Sequence, residues 1–133
     1  MIAALCSTAL RGVDVKLIVP GMYDKQVVGE LGETYYERLI KSGVEIYAYT
    51  PGFIHAKMFI SDDIKAVVGT INLDYRSLYH HFECGTYMYD TECIKDIKAD
   101  FEDTIAKCHK VSLEEAKKTK AAGHVARLLA PMM

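Results

Sequence analysis

The chain has 133 residues, of which 50% are hydrophobic and 26% charged, and its formal net charge at pH 7 is −2. This size and balance are typical of one globular domain with a buried core, and we expect a single domain over residues 1–133. The small net charge excludes a general electrostatic attraction to nucleic acid or to anionic membrane. No apolar run in these residues is long enough to span a bilayer, so we expect the chain itself to be soluble.

The first third of the chain alternates between helical and strand patterns. The order strand, helix, strand predicts a parallel βαβ unit with a right-handed crossover. The predicted elements are a helix over Met1–Leu10 that ends near Gly12, a strand over Val13–Val19, a helix capped by Asp24 that ends at Gly43, and a strand over Val44–Tyr49.

Two short apolar runs follow, Met58–Ile60 and Ala66–Val68, separated by the pair Asp62-Asp63. Their length and composition predict two buried strands joined by a tight turn. Side chains alternate along extended backbone, so His55 and Lys57 are predicted to point to the same face. A hairpin would also return the chain after the second strand to the start of the first.

The polar residues around this hairpin have the spacing H-x-K-x4-D-x6-G-T-x-N, from His55 to Asn72. A neutral imidazole can attack phosphorus or transfer a proton near pH 7. An ammonium and a carboxamide can hold phosphate oxygens. Each residue alone has a more ordinary explanation, as an edge histidine, a solvated lysine or a turn asparagine. Their fixed spacing favours a site for phosphoryl chemistry.

The remaining residues predict a short irregular stretch, a strand and two helices. The four cysteines lack the close pairing of a zinc site and are predicted to be reduced thiols. The predicted elements are an irregular segment over Leu73–His81, a strand over Phe82–Tyr89, a helix from Thr91 or Glu92 whose apolar face runs from Ile94 to Cys108, and a helix with a capping box formed by Ser112 and Glu115.

The spacing from His55 to Asn72 resembles the HKD signature of the phospholipase D superfamily. Other short segments extend the resemblance over essentially the whole chain, and they are most similar to the carboxy-terminal half of a bacterial cardiolipin synthase. These segments are Arg11–Val15, Pro20-Gly21, Pro51–His55, Asn72–Ser77, His81–Glu83 and Arg127–Pro131. The resemblance implies an α/β fold with a phospholipase D-like domain, in which helices flank a mixed, largely parallel β-sheet. It also implies a fragment of a longer enzyme.

The resemblance assigns roles to individual residues and implies neither a metal nor a cofactor. In the family, a glutamate at the position of Glu83 accepts a hydrogen bond from the motif histidine and orients it. His80 and His81 are adjacent, and neighbouring side chains on an extended segment diverge, which disfavours a metal site. The implied catalytic residues are His55, Lys57, Asn72 and Glu83, the implied substrate-binding residues are Ser77 and Thr70, and the implied structural residues of the motif are Asp62 and Gly69.

Members of this superfamily combine two such motifs, whereas this chain carries one. The expected partner is therefore an upstream half of the same enzyme or a second copy in a homodimer, and we expect weak or no activity from the chain alone. The implied reaction joins two phosphatidylglycerols and releases glycerol. The implied location of the full-length parent is the bacterial cell membrane, which it would contact directly. The sequence leaves open whether His55 is the nucleophile or the general acid and base.

Two other interpretations also remain open. One is a self-dimerising phosphodiesterase of the same superfamily, either a phospholipase or a nuclease. The other is a non-catalytic domain that completes the site of a partner. The near-neutral charge counts against a nuclease, which needs a basic groove, so no nucleic-acid partner is expected.

Overall fold

The computed structural model describes residues 1–23 and 26–118. Asp24, the predicted helix cap, lies outside the described residues. Within them the chain forms six helices and six strands. In chain order these are α1 (Ile2–Leu10), β1 (Lys16–Pro20), α2 (Gln26–Glu33), α3 (Tyr36–Lys41), β2 (Glu45–Tyr49), β3 (Met58–Ser61), β4 (Lys65–Gly69), α4 (Tyr75–Tyr79), β5 (Gly85–Tyr89), α5 (Cys93–Ile105), β6 (Cys108–Lys110) and α6 (Leu113–Ala116).

The strands form two three-stranded sheets, ordered β1-β2-β6 and β3-β4-β5. The predicted α/β class is confirmed, and so is the parallel pairing of β1 with β2, which aligns Lys16 with Glu45. The other pairings of the described strands are antiparallel, which differs from the predicted largely parallel sheet. The difference arises because a tight turn can join only antiparallel neighbours, and β3 and β4 are joined in this way. Helix α5 packs against β2, β3 and β6 and so connects the two sheets.

The main core lies between the first sheet and helices α1, α3 and α6. Its centre consists of Leu39, Val44 and Ile46, which are 1%, 2% and 0% exposed. Cys6 and Ala116 add the contributions of α1 and α6 to the same cluster. Alternate residues of a strand face one side of the sheet, so the apolar pattern around β2 directs these side chains inward. This core fixes the first sheet, against which α5 positions the second.

Glycine ends two helices where the sequence predicted it. Gly43 has a φ of +97°, and its N–H donates to the carbonyl of Ile40 while the N–H of Val44 donates to that of Leu39. These two bonds form a Schellman motif, which favours glycine because the residue is left-handed. Gly12, with a φ of +90°, ends α1 in the same way. Both predicted helix ends are confirmed.

Several predicted boundaries differ from the structure, including the starts of β1 and β5, which each begin three residues later than predicted. Three further differences have a visible cause. The single helix expected up to Gly43 is broken between α2 and α3, where the buried Thr34 hydroxyl donates to the carbonyl of Leu31 and competes with helical bonding. Cys108 lies in β6, not on α5, because the chain gains ladder hydrogen bonds with the edge of β2. The stretch expected to be irregular contains α4, which Asp74 caps by accepting from the N–H of Ser77 at 2.7 Å.

The predicted capping box of α6 is confirmed. The N–H of Ser112 donates to Oε2 of Glu115 at 2.7 Å, and the N–H of Glu115 donates to Oγ of Ser112 at 3.2 Å. A ring nitrogen of His109 lies 2.9 Å from Oε1 of the same carboxylate. The contacts with Ser112, and then that with His109, lower the pKa of Glu115 from 4.5 to about 2.

We predict that Glu115→Gln makes the free energy of unfolding depend less on pH at acid pH. A carboxyl whose pKa is lower in the folded state adds stability above its unfolded pKa, and that stability is lost as the pH falls from 4.5 towards about 2. Urea unfolding between pH 2 and pH 7 measures the effect. Glu114→Gln is the matched control, because it removes the same charge from the same helix without altering the capping box. If the free energy of unfolding depended on acid pH in the same way in both variants, Glu115 would not be the cause of that dependence.

Candidate active site

The β3–β4 hairpin brings both ends of the polar motif to one end of the second sheet. Lys57 immediately precedes β3, and its carbonyl accepts from the N–H of Gly69, the last residue of β4, at 3.1 Å. The next residue, Thr70, donates its N–H to the carbonyl of Cys84 at 2.9 Å, just before β5. The hairpin, predicted from the sequence, is confirmed. His55 and Lys57 lie in the irregular segment just before β3, not within it.

Asp62 lies at the opposite end of the hairpin. Asp62 and Asp63 occupy the turn after β3 with φ values of +53° and +58°, and the N–H of Ile64 donates to the carbonyl of Ser61 at 3.3 Å. Two left-handed central residues define a type I′ turn, which Asp and Asn tolerate better than branched residues do. At about 3.3 Å per residue, Asp62 lies roughly 16 Å along the strand from Lys57. A structural role for Asp62 fits this position.

We predict that Asp62→Asn changes the free energy of unfolding by less than about 0.5 kcal/mol, because asparagine accepts the same backbone conformation. Asp62→Val is the contrasting variant and should cost about 1–2 kcal/mol. Urea unfolding of the two variants measures both effects. Equal losses of stability in the two variants would show that the left-handed backbone of the turn does not determine the cost.

Gly69 allows β4 and β5 to approach closely at the end that carries the motif. A Cβ at this position would lie 2.2 Å from the carbonyl oxygen of Cys84 and 2.6 Å from Cα of Gly85. These are backbone atoms that no side-chain rotation can move away. The glycine of the motif is therefore required by the packing of the strands, and the close approach sets the spacing between Thr70 and the residues before β5.

Glu83 is the centre of a hydrogen-bond network beside Lys57. The hydroxyl of Ser77, which is 6% exposed, donates to Oε1 of Glu83 at 2.6 Å, and the hydroxyl of Thr70 donates to Oε2. The hydroxyl of Ser77 also accepts from the backbone N–H of Asn72 at 2.8 Å. Through these bonds Glu83, which precedes β5, holds Thr70 and Ser77 on either side of Asn72. Hydrogen bonds from Ser77 and Thr70, with smaller contributions from the charges of His81 and then Lys57, keep the pKa of Glu83 below its ordinary value.

The structure does not form the predicted hydrogen bond between Glu83 and His55. The two hydroxyl groups bind the carboxylate from α4 and from the end of β4, and His55 lies on the irregular segment before β3. Its imidazole is exposed. Lys57 contacts the backbone of His55, because its Nζ donates to that residue's carbonyl at 2.6 Å. Glu83 therefore organises the Asn72 side of the site.

Phe53, which the sequence analysis did not single out, stacks on the imidazole of His55. The ring centroids are 5.7 Å apart and the planes are inclined by 20°. The two residues are two positions apart in the chain, so this contact is local. His55 lies at the edge of an open depression of about 460 Å³, lined among the described residues by Met22, Tyr23, Phe53 and His55.

The described residues form neither a metal-binding cluster nor a membrane-spanning helix. Within residues 1–23 and 26–118, no group of three or more histidine, cysteine or acidic side chains is placed to hold a metal ion. No helix in this part of the chain has both the length and the apolar character needed to cross a membrane.

The fold resembles that of a solved phospholipase D structure. The crystal structure of a phospholipase D family member, Nuc from Salmonella typhimurium, superimposes with a TM-score of 0.71 over 83% of this chain and 72% of that chain. Sequence identity is 18%, so this likeness defines the fold alone. The fold is that of a phospholipase D-like domain, as the sequence predicted.

The family follows from a match that covers most of the sequence. Residues 1–105 match the family model described as the PLD-like domain of cardiolipin synthase. The chain belongs to this family of cardiolipin synthase-type phospholipase D-like domains, which confirms the predicted resemblance. The match includes the hairpin, the Asn72 segment, Glu83 and α5.

Related proteins are similar along the whole chain. An uncharacterized protein of Streptococcus mutans is 57% identical over 98% of this chain. Cardiolipin synthase 2 of Bacillus anthracis is 34% identical, and the cardiolipin synthase of Clostridium perfringens strain 13 is 36% identical, each over 100% of this chain. The chain spans 27–29% of the length of these relatives.

Proposed function

We propose that this chain acts as one domain, forming one half of the active site of a phosphatidyltransferase that joins two phosphatidylglycerols into cardiolipin and releases glycerol. The observation that carries the proposal is the position of His55, Lys57 and Asn72 around one end of the second sheet, in a chain of the cardiolipin synthase family. Named cardiolipin synthases are 34–36% identical to the chain throughout, which supports the same chemistry.

In the proposed reaction, Lys57 and the side-chain amide of Asn72 hold the non-bridging oxygens of the phosphodiester. Fixed donors of this kind stabilise the charge that develops on phosphorus oxygens in the transition state. A histidine nitrogen attacks phosphorus, a P–N bond forms, and the P–O bond to the departing glycerol breaks. A second histidine protonates that glycerol and then deprotonates the hydroxyl of the acceptor phosphatidylglycerol, which breaks the P–N bond. His55 supplies one of these two imidazoles.

The second imidazole is proposed to come from the remaining length of the protein or from another copy of the chain. The relatives are more than three times longer than the matched segment, which leaves room for a second half. Exposed aromatic side chains on and beside α4, Tyr79 at 69% and Phe82 at 108%, are of the type that contacts membrane surfaces. Contact with the bacterial cell membrane is part of the proposal.

Reconstitution tests the function. The chain is assayed alone, and again with the separately expressed upstream region of the cardiolipin synthase of Clostridium perfringens strain 13, on vesicles of phosphatidylglycerol with a labelled glycerol headgroup and excess chelator. The intact Clostridium perfringens enzyme is the positive control. We expect little or no product from the chain alone, and cardiolipin and free glycerol in equal amounts from the mixture. If the intact enzyme were active and the mixture were inactive, at concentrations where the two parts associate, the proposal would be contradicted.

The solution mass of the chain distinguishes the two possible sources of the second imidazole. A monomer that becomes active only with the upstream region supports pairing within one long polypeptide. A dimer that is active alone on phosphatidylglycerol supports pairing between copies across a two-fold axis. A dimer that cleaves only water-soluble phosphodiesters would replace the transferase by a phosphodiesterase.

A further inference from the structure

Two neighbouring side-chain contacts close the segment between β4 and β5 upon itself. One is the hydrogen bond from the hydroxyl of Ser77 to Glu83. In the other, Nε of Arg76 donates to Nε2 of His81 at 2.6 Å. The backbone N–H of His81 also donates to the carbonyl of Arg76 at 2.9 Å. Arg76 therefore holds His81 through both its side chain and its backbone, two residues before Glu83.

The contact between Arg76 and His81 requires a neutral imidazole. A guanidinium group can only donate hydrogen bonds, so Nε2 of His81 is the acceptor and the ring proton is on Nδ1. A protonated ring carries a proton on both nitrogens and has no lone pair to accept with. It would also bring a second positive charge to within hydrogen-bond distance of the guanidinium. Because histidine side chains change charge near neutral pH, this contact is sensitive to pH.

A protonated His81 has an alternative partner in the carboxylate of Glu83. The charge of a protonated His81 and that of Lys57 both act on this carboxylate. The charged groups around His81 are thus Arg76 on α4 and Glu83 before β5, and Lys57, before β3, is a further charge that acts on Glu83. Protonation therefore replaces an attraction between His81 and Arg76 by a repulsion, and it adds an attraction to Glu83.

We propose that His81 is a positioning residue for Asn72, which keeps the segment between β4 and β5 closed while its imidazole is neutral and opens it on protonation. A protonated ring that donates to Glu83 competes with the hydroxyl of Ser77 for this carboxylate. The same hydroxyl oxygen accepts from the backbone N–H of Asn72 at 2.8 Å, so its displacement loosens Asn72. The consequence for phosphate binding rests on the proposed function, because it assumes that Asn72 holds a phosphate oxygen.

Hydrogen exchange at the backbone amide of Asn72, followed by NMR, tests the inference without a ligand. We expect its protection factor, which is corrected for the intrinsic effect of pH on exchange, to fall about fivefold between roughly pH 8 and pH 5.5, as for the loss of one hydrogen bond. His81→Gln should abolish this fall, because a glutamine carbonyl accepts from Arg76 at every pH. His80→Gln, which removes the adjacent exposed imidazole, is the matched control and should retain it. A protection factor that does not change with pH in the unmodified chain, or a fall that persists in His81→Gln, would overturn the inference.

A second measurement separates this inference from the proposed function. Glycerophosphoglycerol, a soluble phosphodiester whose own charge is constant in this pH range, is titrated into the unmodified chain and into His81→Gln at both pH values. We expect the ratio of the Kd at the lower pH to the Kd at the higher pH to be about threefold larger in the unmodified chain. This comparison cancels the effect of His55, which both proteins share. Equal ratios would overturn the role of His81 in binding. If neither protein bound the phosphodiester at either pH, the proposed function would be wrong instead, and a fall in protection at Asn72 would still support the positioning role of His81.

Discussion

Replacing His55 by alanine is expected to lower the rate of cardiolipin formation by about 10³-fold or more in the reconstituted enzyme. In the proposed reaction this imidazole either forms the bond to phosphorus or moves the proton of the glycerol hydroxyl, and alanine does neither. The side chain is exposed and carries none of the core, so the stability of the variant should change little. Initial rates on phosphatidylglycerol vesicles, together with urea unfolding curves, measure both effects.

The matched control is His109→Ala, which removes an imidazole from β6 in the other sheet. It should retain most of the activity. A second substrate with a good leaving group, such as a p-nitrophenyl phosphodiester, then distinguishes the two possible roles of His55. A general acid becomes less necessary when the leaving group needs no proton, so partial rescue indicates acid-base catalysis. Loss of activity on both substrates indicates that His55 is the nucleophile. Full activity of His55→Ala on phosphatidylglycerol would show that His55 takes no part in the reaction.

Replacing Gly69 by alanine is expected to destabilise the domain by about 2–3 kcal/mol, because overpacking against backbone atoms forces the strands to move. The new Cβ would lie 2.2 Å from the carbonyl oxygen of Cys84. Separation of β4 from β5 at this point would also break the bonds between Thr70 and the residues around Glu83. Urea unfolding gives the free energy, and amide hydrogen exchange at Thr70 reports the local opening.

Gly85→Ala is the matched control, since Gly85 is paired with Gly69 across the same two strands. Its Cβ would meet Cγ1 of Val67 at 3.3 Å and Cδ1 of Ile71 at 3.5 Å, which are ends of side chains that can adjust. We expect a change of less than about 1 kcal/mol. Equal stabilities for the two variants would mean that the close approach at Gly69 does not constrain the strands.

The sequence predicted those parts of the fold that local chemistry determines. The pair Asp62-Asp63 between two apolar runs indicated the hairpin turn, and both residues adopt the left-handed conformation that such a turn needs. Gly43 marked a helix end, and Ser112 with Glu115 marked a helix start. Each signal lies within a few residues along the chain, and so it can be recognised without knowledge of the tertiary fold.

Features that depend on distant residues were not predictable in the same way. The pairing of β6 with β2 joins segments about sixty residues apart, and nothing near Cys108 distinguishes a strand from the end of a helix. The partners of Glu83 are hydroxyl groups on α4 and after β4, and their approach depends on how the sheet positions both elements. The stacking of Phe53 on His55 could have been suggested from the sequence, because the two residues are only two positions apart.

The proposed function depends most on one phosphate being held jointly by His55, Lys57 and Asn72. Titration of inorganic phosphate into the isotopically labelled chain, followed by NMR at the imidazole of His55, the ammonium of Lys57 and the side-chain amide of Asn72, tests this directly. We predict that the three signals shift together with a single Kd, and that Lys57→Ala weakens this Kd by about tenfold. Signals that shift with different Kd values, or phosphate that shifts other residues and leaves these three in place, would contradict a shared phosphate site.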